Sequence, residues 1–543
     1  MKTLIVGGVA GGMSAATRLR RLDETADIVV LERSGHVSYA NCGLPYHLGD
    51  VITKRERLLL QTPQSLHARF RIDIRVRSEV ERIDLAARTV HVRDLSTGTS
   101  YDESWDRLVL SPGAAAFVPD VSGVERALTL RTVEDLDRLM QALGQEPRTA
   151  VVVGGGFVGV ETAENLRRRG LEVTIVELAD QVLAPLDPEL AAVVHDEVRR
   201  HGVALALGSS LDKVLPDAVA LQDGRVLAAD LVVLAIGVRP ETHLARAAGL
   251  AIGPRGGILV DESLRTSAPD VYAVGDAVEK VDAVGGEAVL VPLANVANRQ
   301  GRLVADQIAG RSTRLAPSLG TAIVKVFDLT VAVTGWNEKR ARAAGRRHQP
   351  VHTHPTSHAS YYPGASSMAL KLLIDPVDGA ILGAQGVGGE GVDKRIDVIA
   401  TAMHGGLAAD ELAQLELAYA PPFGSAKDPV NMLGYVADNV LSGTVRTVQW
   451  HELDAAVAAG ALLVDVRTPA EHATGHIPGS VNIAVDDLRE RVSALPAGPL
   501  IVYCAVGQRA HTALMLLTGL GREVASLDGG YRTWVAGQSA RAS

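Results

Sequence analysis

The chain has 543 residues with a formal net charge of −9 at pH 7, which predicts three or four domains and excludes a general electrostatic attraction for nucleic acid or anionic membranes. No apolar run approaches the roughly eighteen residues that cross a bilayer, and no signal peptide is indicated, because Lys2 is the only basic residue before the apolar residues 3–6. Two distant cysteines, Cys42 and Cys504, favour a reducing compartment, which predicts a cytoplasmic protein.

The first predicted elements form a βαβ unit. Residues 3–6 predict a strand, residues 7–12 a glycine-rich turn, residues 14–22 a helix and residues 27–31 a strand that ends at Glu32. Such a turn lets the backbone approach a pyrophosphate, and the acid binds ribose hydroxyls. Val9 departs from the fingerprint because it occupies the second glycine position. The unit therefore predicts a dinucleotide site, the alternative being a glycine-rich turn without a nucleotide.

Residues 38–46 hold the first cysteine, Cys42. Gly43 and Pro45 do not continue a helix easily, and Ser38 and Asn41 are polar, so this stretch predicts a loop. We interpret Cys42 as a redox-active thiol against a flavin; the alternative is a small, buried, inert side chain.

The βαβ pattern recurs farther along the chain. Residues 149–153 predict a strand, residues 154–159 carry a full glycine fingerprint, residues 160–169 predict a helix, and residues 172–176 a strand that ends at Glu177. Two units imply two dinucleotides. Glu177 would accept a bond from a 2′-hydroxyl and repel a 2′-phosphate, which favours NADH over NADPH; the alternative is a solvent-facing acid.

Two more strands are predicted, at residues 231–236 and 271–274. Asp276 follows the second of them, and we interpret it as the point where the chain comes back to the first nucleotide site. With the motifs at residues 110–113, 235–237, Thr266 and 272–276, residues 1 to about 440 resemble the flavin-dependent pyridine nucleotide-disulfide oxidoreductases. The resemblance implies an FAD-binding domain at residues 1–113 and 239–315, an inserted NAD(P)H-binding domain at 114–238, and a dimerisation domain at 316–440.

The resemblance also implies the residues that bind the two nucleotides. Phe157 would be the lid over the nicotinamide side. The residues implied for FAD are Gly7, Val9, Ala10, Gly11, Gly12, Glu32, Arg33, Asn41, Cys42, Val80, Ser111, Gly113, Arg131, Phe157, Gly275, Asp276, Pro292, Leu293, Ala294 and Tyr419. Those implied for NADH are Gly154, Gly156, Phe157, Val158, Gly159, Glu177 and Gly237.

The single cysteine in this region indicates which branch of the family the chain resembles. Members with two cysteines store electrons in an internal disulfide, whereas Cys42 alone would work through a mixed disulfide, a persulfide or a sulfenic acid. Residues 38–46 resemble the coenzyme A-disulfide reductases. NADH peroxidases of this family carry a histidine at the position of Ala10, and its absence weakens that alternative.

The same resemblance implies a coenzyme A pocket and a homodimer. The residues implied for coenzyme A are Ser14, Arg18, Arg21, Ser38, Asn41, Asn298 and Lys427. Arg18 and Arg21 share a helix face, but a basic position of the family is Phe70 here. Residues 360–364 and 418–423 match motifs whose tyrosines, Tyr361 and Tyr419, reach the thiol of the partner subunit. Their alternative role is to anchor an interface.

After a predicted linker at residues 439–444, a new α/β pattern begins. Strands are predicted at 462–466 and 500–503 and helices at 486–495 and 509–517. Cys504 opens a loop that ends at Arg509, where backbone N–H groups would stabilise a sulfur anion. With the motifs at 465–467, Glu471, 475–479 and 528–530, residues 446–543 resemble a single-domain rhodanese. This implies that Cys504 carries sulfane sulfur; the alternative is an inactive rhodanese fold.

Together these features predict an α/β protein with two Rossmann-like domains, one inserted in the other, an α+β dimerisation domain and a rhodanese domain. The predicted activity is NAD(P)H- and FAD-dependent reduction of coenzyme A disulfide, coenzyme A persulfide or polysulfide, without a metal. The predicted catalytic residues are Cys42, Tyr361, Tyr419, Cys504 and Arg509. Two alternatives stay open: an NADH oxidase or peroxidase that cycles through a sulfenic acid, and a sulfur carrier with a redox-sensing flavin.

Overall fold

The computed structural model describes residues 1–542, which divide into two compact units. The first contains residues 1–178 and 202–320, and the second contains residues 179–201 and the described residues from 321 onward. Residues 179–201 lie inside the predicted segment 114–238 but group with the second unit. The predicted domain boundaries therefore stay a prediction.

The first unit begins with a five-stranded parallel sheet. Its strand order is Val271–Ala273, Arg107–Leu110, Lys2–Val6, Asp27–Leu31 and Asp73–Arg75. The helix Ala10–Leu22 follows the central strand. The helix Ala294–Ile308 packs against the helix Ala10–Leu22. Because the edge strand comes from far along the chain and pairs with Arg107–Leu110, the segment between them is an insertion.

A second five-stranded parallel sheet forms that insertion. Its order is Val203–Ala206, Glu172–Val176, Thr149–Val153, Leu231–Leu234 and Leu128–Thr129. The apolar side chains of its central strands, such as Val151 and Val233, are fully buried, as expected of a parallel sheet covered on both faces. The remaining strands of this unit are Ser78–Asp84, Thr89–Asp94, Ser100–Ser104, Ala114–Ala116, Leu211–Val214, Ala218–Leu221, Val226–Ala228, Val238–Pro240, Lys280–Val281 and Ala288–Val289.

The helices of the first unit correct one prediction. Residues 38–46 are not wholly a loop, because Asn41–Gly43 forms a 3-10 turn and Leu44–Leu48 a short α-helix. Pro45 lies in the first turn, where its missing N–H needs no partner, and Leu44 and Leu48 are buried. The other helices are Pro63–Phe70, Val133–Leu143, Phe157–Arg168 and His243–Ala247, with 3-10 turns at Arg55–Leu58, Val124–Arg126 and Gly275–Ala277.

The second unit contains a five-stranded antiparallel sheet. Its order is Ala322–Val326, Leu329–Gly335, Ile381–Gly388, Met368–Ile374 and Gln349–Thr353. Buried side chains of the sheet, such as Leu370 and Ala384, share one core with Ile396 and Leu433 of the covering helices. The helices of this part are Pro188–Arg200, Glu338–Ala343, Val392–Gly405 and Pro429–Leu441, with a 3-10 turn at Asp410–Gln414.

A five-stranded parallel sheet completes the second unit. Its order is Thr447–Val448, Val524–Leu527, Leu500–Tyr503, Leu462–Asp465 and Val481–Asn482. The predicted helix 486–495 is limited to Leu488–Arg491 and a 3-10 turn at Val492–Ala494, because Pro496 disfavours helical geometry in the residue before it. The other helices are Leu453–Ala458, Pro469–Thr474, Gln508–Gly519 and Gly530–Ala542.

These sheets confirm the predicted fold class. The segment that forms the second parallel sheet is inserted between two strands of the first, and an antiparallel sheet covered by helices and a C-terminal parallel α/β sheet follow. Among residues 1–542, no helix is both long enough and apolar enough to cross a membrane.

Candidate functional site

The first glycine-rich turn is shaped for a pyrophosphate. A Cβ atom on Gly7 would lie 2.0 Å from Ser111 O, and one on Gly12 would lie 1.9 Å from Gly7 O, so only glycine fits at both positions. Val9 precedes the helix Ala10–Leu22 without a side-chain cap. The first amides of that helix are thus left for an anionic ligand, and the turn fits the pyrophosphate of FAD.

Two predicted acids flank this turn. Buried Glu32 accepts bonds from Gly8 N (2.7 Å) and Ser34 N (2.8 Å), which fixes its carboxylate beside the glycines. Asp276 accepts from the guanidinium of Arg131 at 2.7 Å. These contacts hold the acids that the sequence analysis assigned to FAD in defined orientations.

Lys280 is a neighbour of Asp276 that was not predicted. Its Nζ donates to Gly275 O (2.6 Å) and Val278 O (2.9 Å). Burial lowers the pKa of Lys280 to about 8, against the opposing charge of Asp276. Lys280 thus fixes the turn on which Asp276 stands, and its only sequence signal is a lysine four residues after that acid.

The other predicted FAD residues of the first unit lie around the turn or at its edge. Gly11 and Gly275 approach both Ser111 and Ala297, and Ala297 lies in the first turn of the helix Ala294–Ile308. Pro292 and Leu293 precede that helix, and Leu293 supplies no side-chain cap. Arg33 is exposed and pairs with Glu241 at 3.1 Å, and Val80 is buried on its strand.

The second glycine turn fits NADH in the same way. A Cβ atom on Gly159 would lie 1.9 Å from Gly154 O, whereas a Cβ atom on Gly156 would have no neighbouring atom within 4 Å. Gly156 caps the helix Phe157–Arg168 without a side chain, and Gly155 N donates to Glu177 Oε2 at 2.6 Å. Phe157 is half-buried, Val158 is exposed, and Gly237 has a φ of +103° with open space beside it.

Cys42 is a free, exposed thiol next to a pair of titratable groups. Its Sγ lies 3.7 Å from Asn41 Oδ1. Partial desolvation and the charge of Glu161 raise the pKa of Cys42, and Arg131 opposes them. Glu161 accepts a bond from the Tyr46 hydroxyl at 2.9 Å, and its own burial raises its pKa to about 7. The protein groups of the first unit therefore favour the protonated thiol; Tyr46 and Glu161 were not predicted.

The residues predicted for coenzyme A form contacts of their own on the helix Ala10–Leu22. Ser14 Oγ donates to Asn298 Oδ1 at 2.7 Å, and Arg18 pairs with Asp306 at 2.7 Å. Arg21 lies over the ring of Phe70 at 5.3 Å. Ser38 has a φ of +48°, and its N donates to Gly8 O. Arg302 and Arg311, which were not predicted, also lie within 4.0 Å of Asp306.

The second unit holds the remaining predicted residues. The hydroxyls of Tyr361 and Tyr419 lie 3.1 Å apart, and this bond raises the pKa of Tyr361. Tyr361 is 74% exposed and Phe423 is 73% exposed, which indicates an interaction surface. Lys427 is also exposed.

Cys504 is buried directly after the strand Leu500–Tyr503. Gly507 N donates to its Sγ at 3.2 Å, and Gly507 has the positive φ of +100° that turns this loop into the helix Gln508–Gly519. The two terminal nitrogens of the Arg509 guanidinium each donate to one carboxylate oxygen of Glu471 at 2.7 Å, which lowers the pKa of Glu471 to about 2. The loop and helix N-terminus suit a sulfur anion at Cys504.

Comparisons with known proteins agree with this geometry. Residues 1–301 match the pyridine nucleotide-disulphide oxidoreductase family, residues 321–429 match the dimerisation domain of that family, and residues 449–537 match the rhodanese-like domain.

Three similar proteins span most of the chain. A coenzyme A disulfide reductase of Staphylococcus aureus is 35% identical over 442 residues, which cover 80% of this chain and 99% of the relative. Reduced CoADR-RHD of Bacillus anthracis is 47% identical, with a TM-score of 0.97 over 98% of both chains. A NAD-dependent persulfide reductase from A. fulgidus is 35% identical, with a TM-score of 0.92 over 98% of this chain and 100% of the other.

Proposed function

Since the chain belongs to the pyridine nucleotide-disulphide oxidoreductase family, we propose that it uses NADH to reduce coenzyme A disulfide, coenzyme A persulfide or polysulfide at Cys42, while Cys504 handles sulfane sulfur. The observation that carries the proposal is the pair of free thiols. Cys42 is exposed in the 3-10 turn that precedes a short helix, and Cys504 is buried in a loop where Gly507 N donates to its Sγ. The similar reductases support coenzyme A or a persulfide as substrate.

The reaction at Cys42 follows from its being alone in the first unit. Its thiolate attacks one sulfur of the substrate disulfide, the S–S bond of the substrate breaks, and a coenzyme A thiolate leaves and takes a proton. Cys42 is left in a mixed disulfide with the second coenzyme A. When bound to the first glycine turn, Glu32 and Asp276, FAD supplies two-electron transfer from NADH. The net reaction of one disulfide with NADH and one proton gives two thiols and NAD⁺.

Cys504 would work on the sulfane donors. Its thiolate attacks the outer sulfur of a persulfide R–S–SH, so that R–SH leaves and Cys504 holds the sulfur as its own persulfide. Gly507 N and the start of the helix Gln508–Gly519 stabilise the sulfur anion, and Arg509 is fixed behind it by Glu471. A coenzyme A thiolate can then accept the sulfur and carry it as coenzyme A persulfide.

Anaerobic NADH oxidation by the FAD-loaded protein tests the proposal. Turnover with coenzyme A disulfide, coenzyme A persulfide or polysulfide is the expected result. In separate assays without a sulfur substrate, turnover with oxygen or with peroxide would instead assign the oxidase or peroxidase alternative. A protein without steady turnover that forms a stable complex with a sulfur acceptor would be a carrier with a redox-sensing flavin.

The tyrosine pair gives a first prediction. We propose that Tyr361 and Tyr419 protonate or stabilise the departing thiolate. Tyr361→Phe keeps the ring and removes the hydroxyl, so kcat for coenzyme A disulfide should fall by about 10²-fold. The matched control is Tyr362→Phe, a neighbour that is 43% exposed, which should keep the parent kcat. Equal kcat values for the two variants would leave the pair with an interface role only.

The nucleotide preference gives a second prediction. Glu177→Gln keeps an oxygen for Gly155 N but removes the negative charge that would repel a 2′-phosphate. The ratio of kcat/KM for NADH to that for NADPH should therefore fall by about 10-fold. Glu172→Gln, at the exposed start of the same strand, is the control. A ratio that Glu177→Gln leaves unchanged would show that Glu177 does not select the cofactor.

We also propose a cytoplasmic homodimer. The matched dimerisation domain and the exposed aromatic surface around Tyr361 and Phe423 support self-association, and two free thiols favour a reducing compartment. Sedimentation velocity of the purified protein would contradict the dimer if a single species of 57.1 kDa were found at micromolar concentration.

A further inference from the structure

His352 is a buried residue whose two ring nitrogens both face carboxylates. It lies on the strand Gln349–Thr353, with Nδ1 2.7 Å from Asp528 Oδ2 and Nε2 3.0 Å from Glu189 Oε1. A neutral imidazole has one N–H and can donate to only one of these groups. The side chain of His352 therefore donates to both carboxylates at once only when it is an imidazolium. Burial opposes this charge, but Asp528 and Glu189 outweigh burial and raise the pKa of His352 to about 9.

The charges behind His352 are supplied by several elements. Lys371, on the strand Met368–Ile374, lies 2.5 Å from Glu189, 2.9 Å from Asp187 and 2.7 Å from Glu338. These three carboxylates could hold a cation, and the Lys371 ammonium is that cation. Lys371 is bound within this cluster, and its charge lowers the pKa of His352, whereas the carboxylates raise it. It therefore does not replace His352 as the donor to Asp528.

The other neighbours of His352 do not replace it either. His354 follows directly after the strand, and its Nε2 lies 2.8 Å from Thr533 Oγ1. Its burial, with the charges of His352 and Arg532, lowers its pKa to about 3, so that it is neutral. Trp450 Nε1 donates to the second oxygen of Glu189 at 3.3 Å.

Asp528 connects His352 to the loop of Cys504. Its other carboxylate oxygen accepts from His352 N at 3.2 Å. A Cβ atom on Gly529 would lie 2.9 Å from His352 Cβ, and one on Gly530 would lie 2.5 Å from Cys504 O. Directly after these glycines, Tyr531 N donates to Cys504 O at 2.8 Å and Arg532 N to Ala505 O at 3.1 Å. Residues 528–532 thus contact His352 on one side and the Cys504 loop on the other.

We propose that His352 is a positioning residue for Cys504: as an imidazolium it holds Asp528, and the segment 528–532 in turn holds the backbone of the sulfur-carrying loop 504–509. The inference rests on the proposed function, because it takes Cys504 as the carrier of sulfane sulfur. Loss of the imidazolium proton removes the positive charge that faces Asp528 and turns a charge-assisted hydrogen bond in a buried site into a weaker, neutral one, while Glu189 keeps Lys371 and Trp450 as donors. This loosens the segment.

The direction of the pH dependence follows from the raised pKa. The stabilisation is complete below the ordinary histidine pKa of about 6.5 and is lost as the pH rises through about 9. The loop of Cys504 should accordingly be firmly held at pH 6 and loosened at pH 10.

The test uses the full-length, FAD-loaded Cys42→Ser protein, in which Cys504 is the one remaining thiol. Amide hydrogen exchange of peptides covering residues 500–509 and 524–533 is followed by mass spectrometry from pH 6 to pH 10, corrected for intrinsic exchange. Loading of Cys504 by glutathione persulfide is measured in parallel. Protection in the parent should fall with a midpoint near pH 9.

Two variants and one control decide the role of His352. His352→Gln should lose that midpoint and, at pH 7, reduce both protection and the loading rate by about 10-fold. Asp528→Asn keeps an acceptor oxygen but not the charge, so the midpoint should move down by about one pH unit or more. The control is His348→Gln, whose imidazole Nδ1 lies near Arg346 O at 2.9 Å; it should match the parent.

Failure of this inference is distinct from failure of the proposed function. A parent that never takes up sulfane sulfur at Cys504 would overturn the proposed role of Cys504. The hydrogen-exchange data would still show whether His352 stabilises residues 528–532 and the loop 504–509. Unchanged protection, loading and midpoint in His352→Gln would overturn the inference. Where His352→Gln yields no folded protein, Asp528→Asn decides alone: a lowered midpoint supports the inference, and an unchanged midpoint overturns it.

Discussion

Replacing Cys42 with serine is expected to lower NADH-dependent reduction of coenzyme A disulfide by at least about 10³-fold. A serine hydroxyl is not ionised near neutral pH and cannot form an S–S bond, so neither the attack nor the mixed disulfide is available. FAD should stay bound, because the first glycine turn, Glu32 and Asp276 are untouched. Anaerobic NADH oxidation and the flavin absorbance of the purified variant are the two measurements.

The matched variant for this prediction is Cys504→Ser, which removes the only other thiol. Because Cys504 lies in the separate C-terminal sheet, reduction of coenzyme A disulfide should persist in this variant, whereas the use of sulfane donors should be reduced. A Cys42→Ser enzyme that kept a tenth or more of the parent rate, with FAD bound, would contradict a mechanism centred on Cys42. The proposed two-thiol division of work would be contradicted by a Cys504→Ser enzyme that used every sulfane donor at the parent rate.

Local sequence signals were sufficient for the nucleotide turns. A Cβ atom added to Gly12 or to Gly159 would lie 1.9 Å from a backbone oxygen, which excludes every residue except glycine. The glycines in the sequence therefore indicate these close backbone approaches directly. The strands of the two βαβ patterns alternate with helices at short spacing, which also predicts parallel sheets. The helices begin earlier than predicted, at Ala10 and Phe157, because fingerprint glycines 11, 12 and 159 are themselves helical.

Features that depend on distant residues could not be predicted in this way. Pro45 and Gly43 indicated a loop, but the burial of Leu44 and Leu48 stabilises a short helix there. Glu161 approaches Tyr46 from a helix more than a hundred residues away. Its position on that helix gave no sign that its carboxylate would be buried and its pKa raised to about 7.

The charge cluster around Lys371 was missed for the same reason. Glu189 and Glu338 lie on two different helices, Asp187 directly precedes the first of these helices, and Asp528, which contacts the cluster through His352, follows the strand Val524–Leu527. Each of these acids alone resembles an ordinary surface acid. One signal was present: Lys371 interrupts the apolar strand Met368–Ile374. A lone lysine in a buried strand needs a partner, but the sequence does not say which acid supplies it.

Lys371→Met is expected to destabilise the second unit by about 3–5 kcal/mol. Lys371 is 1% exposed; burial opposes its charge, but Glu189, Asp187 and Glu338 outweigh burial and hold its pKa well above the ordinary range. Without the ammonium, three buried carboxylates repel one another. Thermal unfolding of the full-length protein should show the transition of this unit lowered by about 6–20 °C.

The pH dependence separates loss of charge from loss of packing in this variant. In Lys371→Met, burial and mutual repulsion penalise the ionised form of the three carboxylates relative to the unfolded chain. Their penalty is then largest at high pH and is relieved as the pH falls and they take up protons, so the deficit against the parent should shrink from pH 8 to pH 5. Lys394→Met removes a half-exposed lysine 3.6 Å from Asp428 and should cost at most about 1 kcal/mol. A Lys371→Met deficit that stayed constant with pH would mean that packing of the lysine stem, rather than its charge, stabilises this part of the fold.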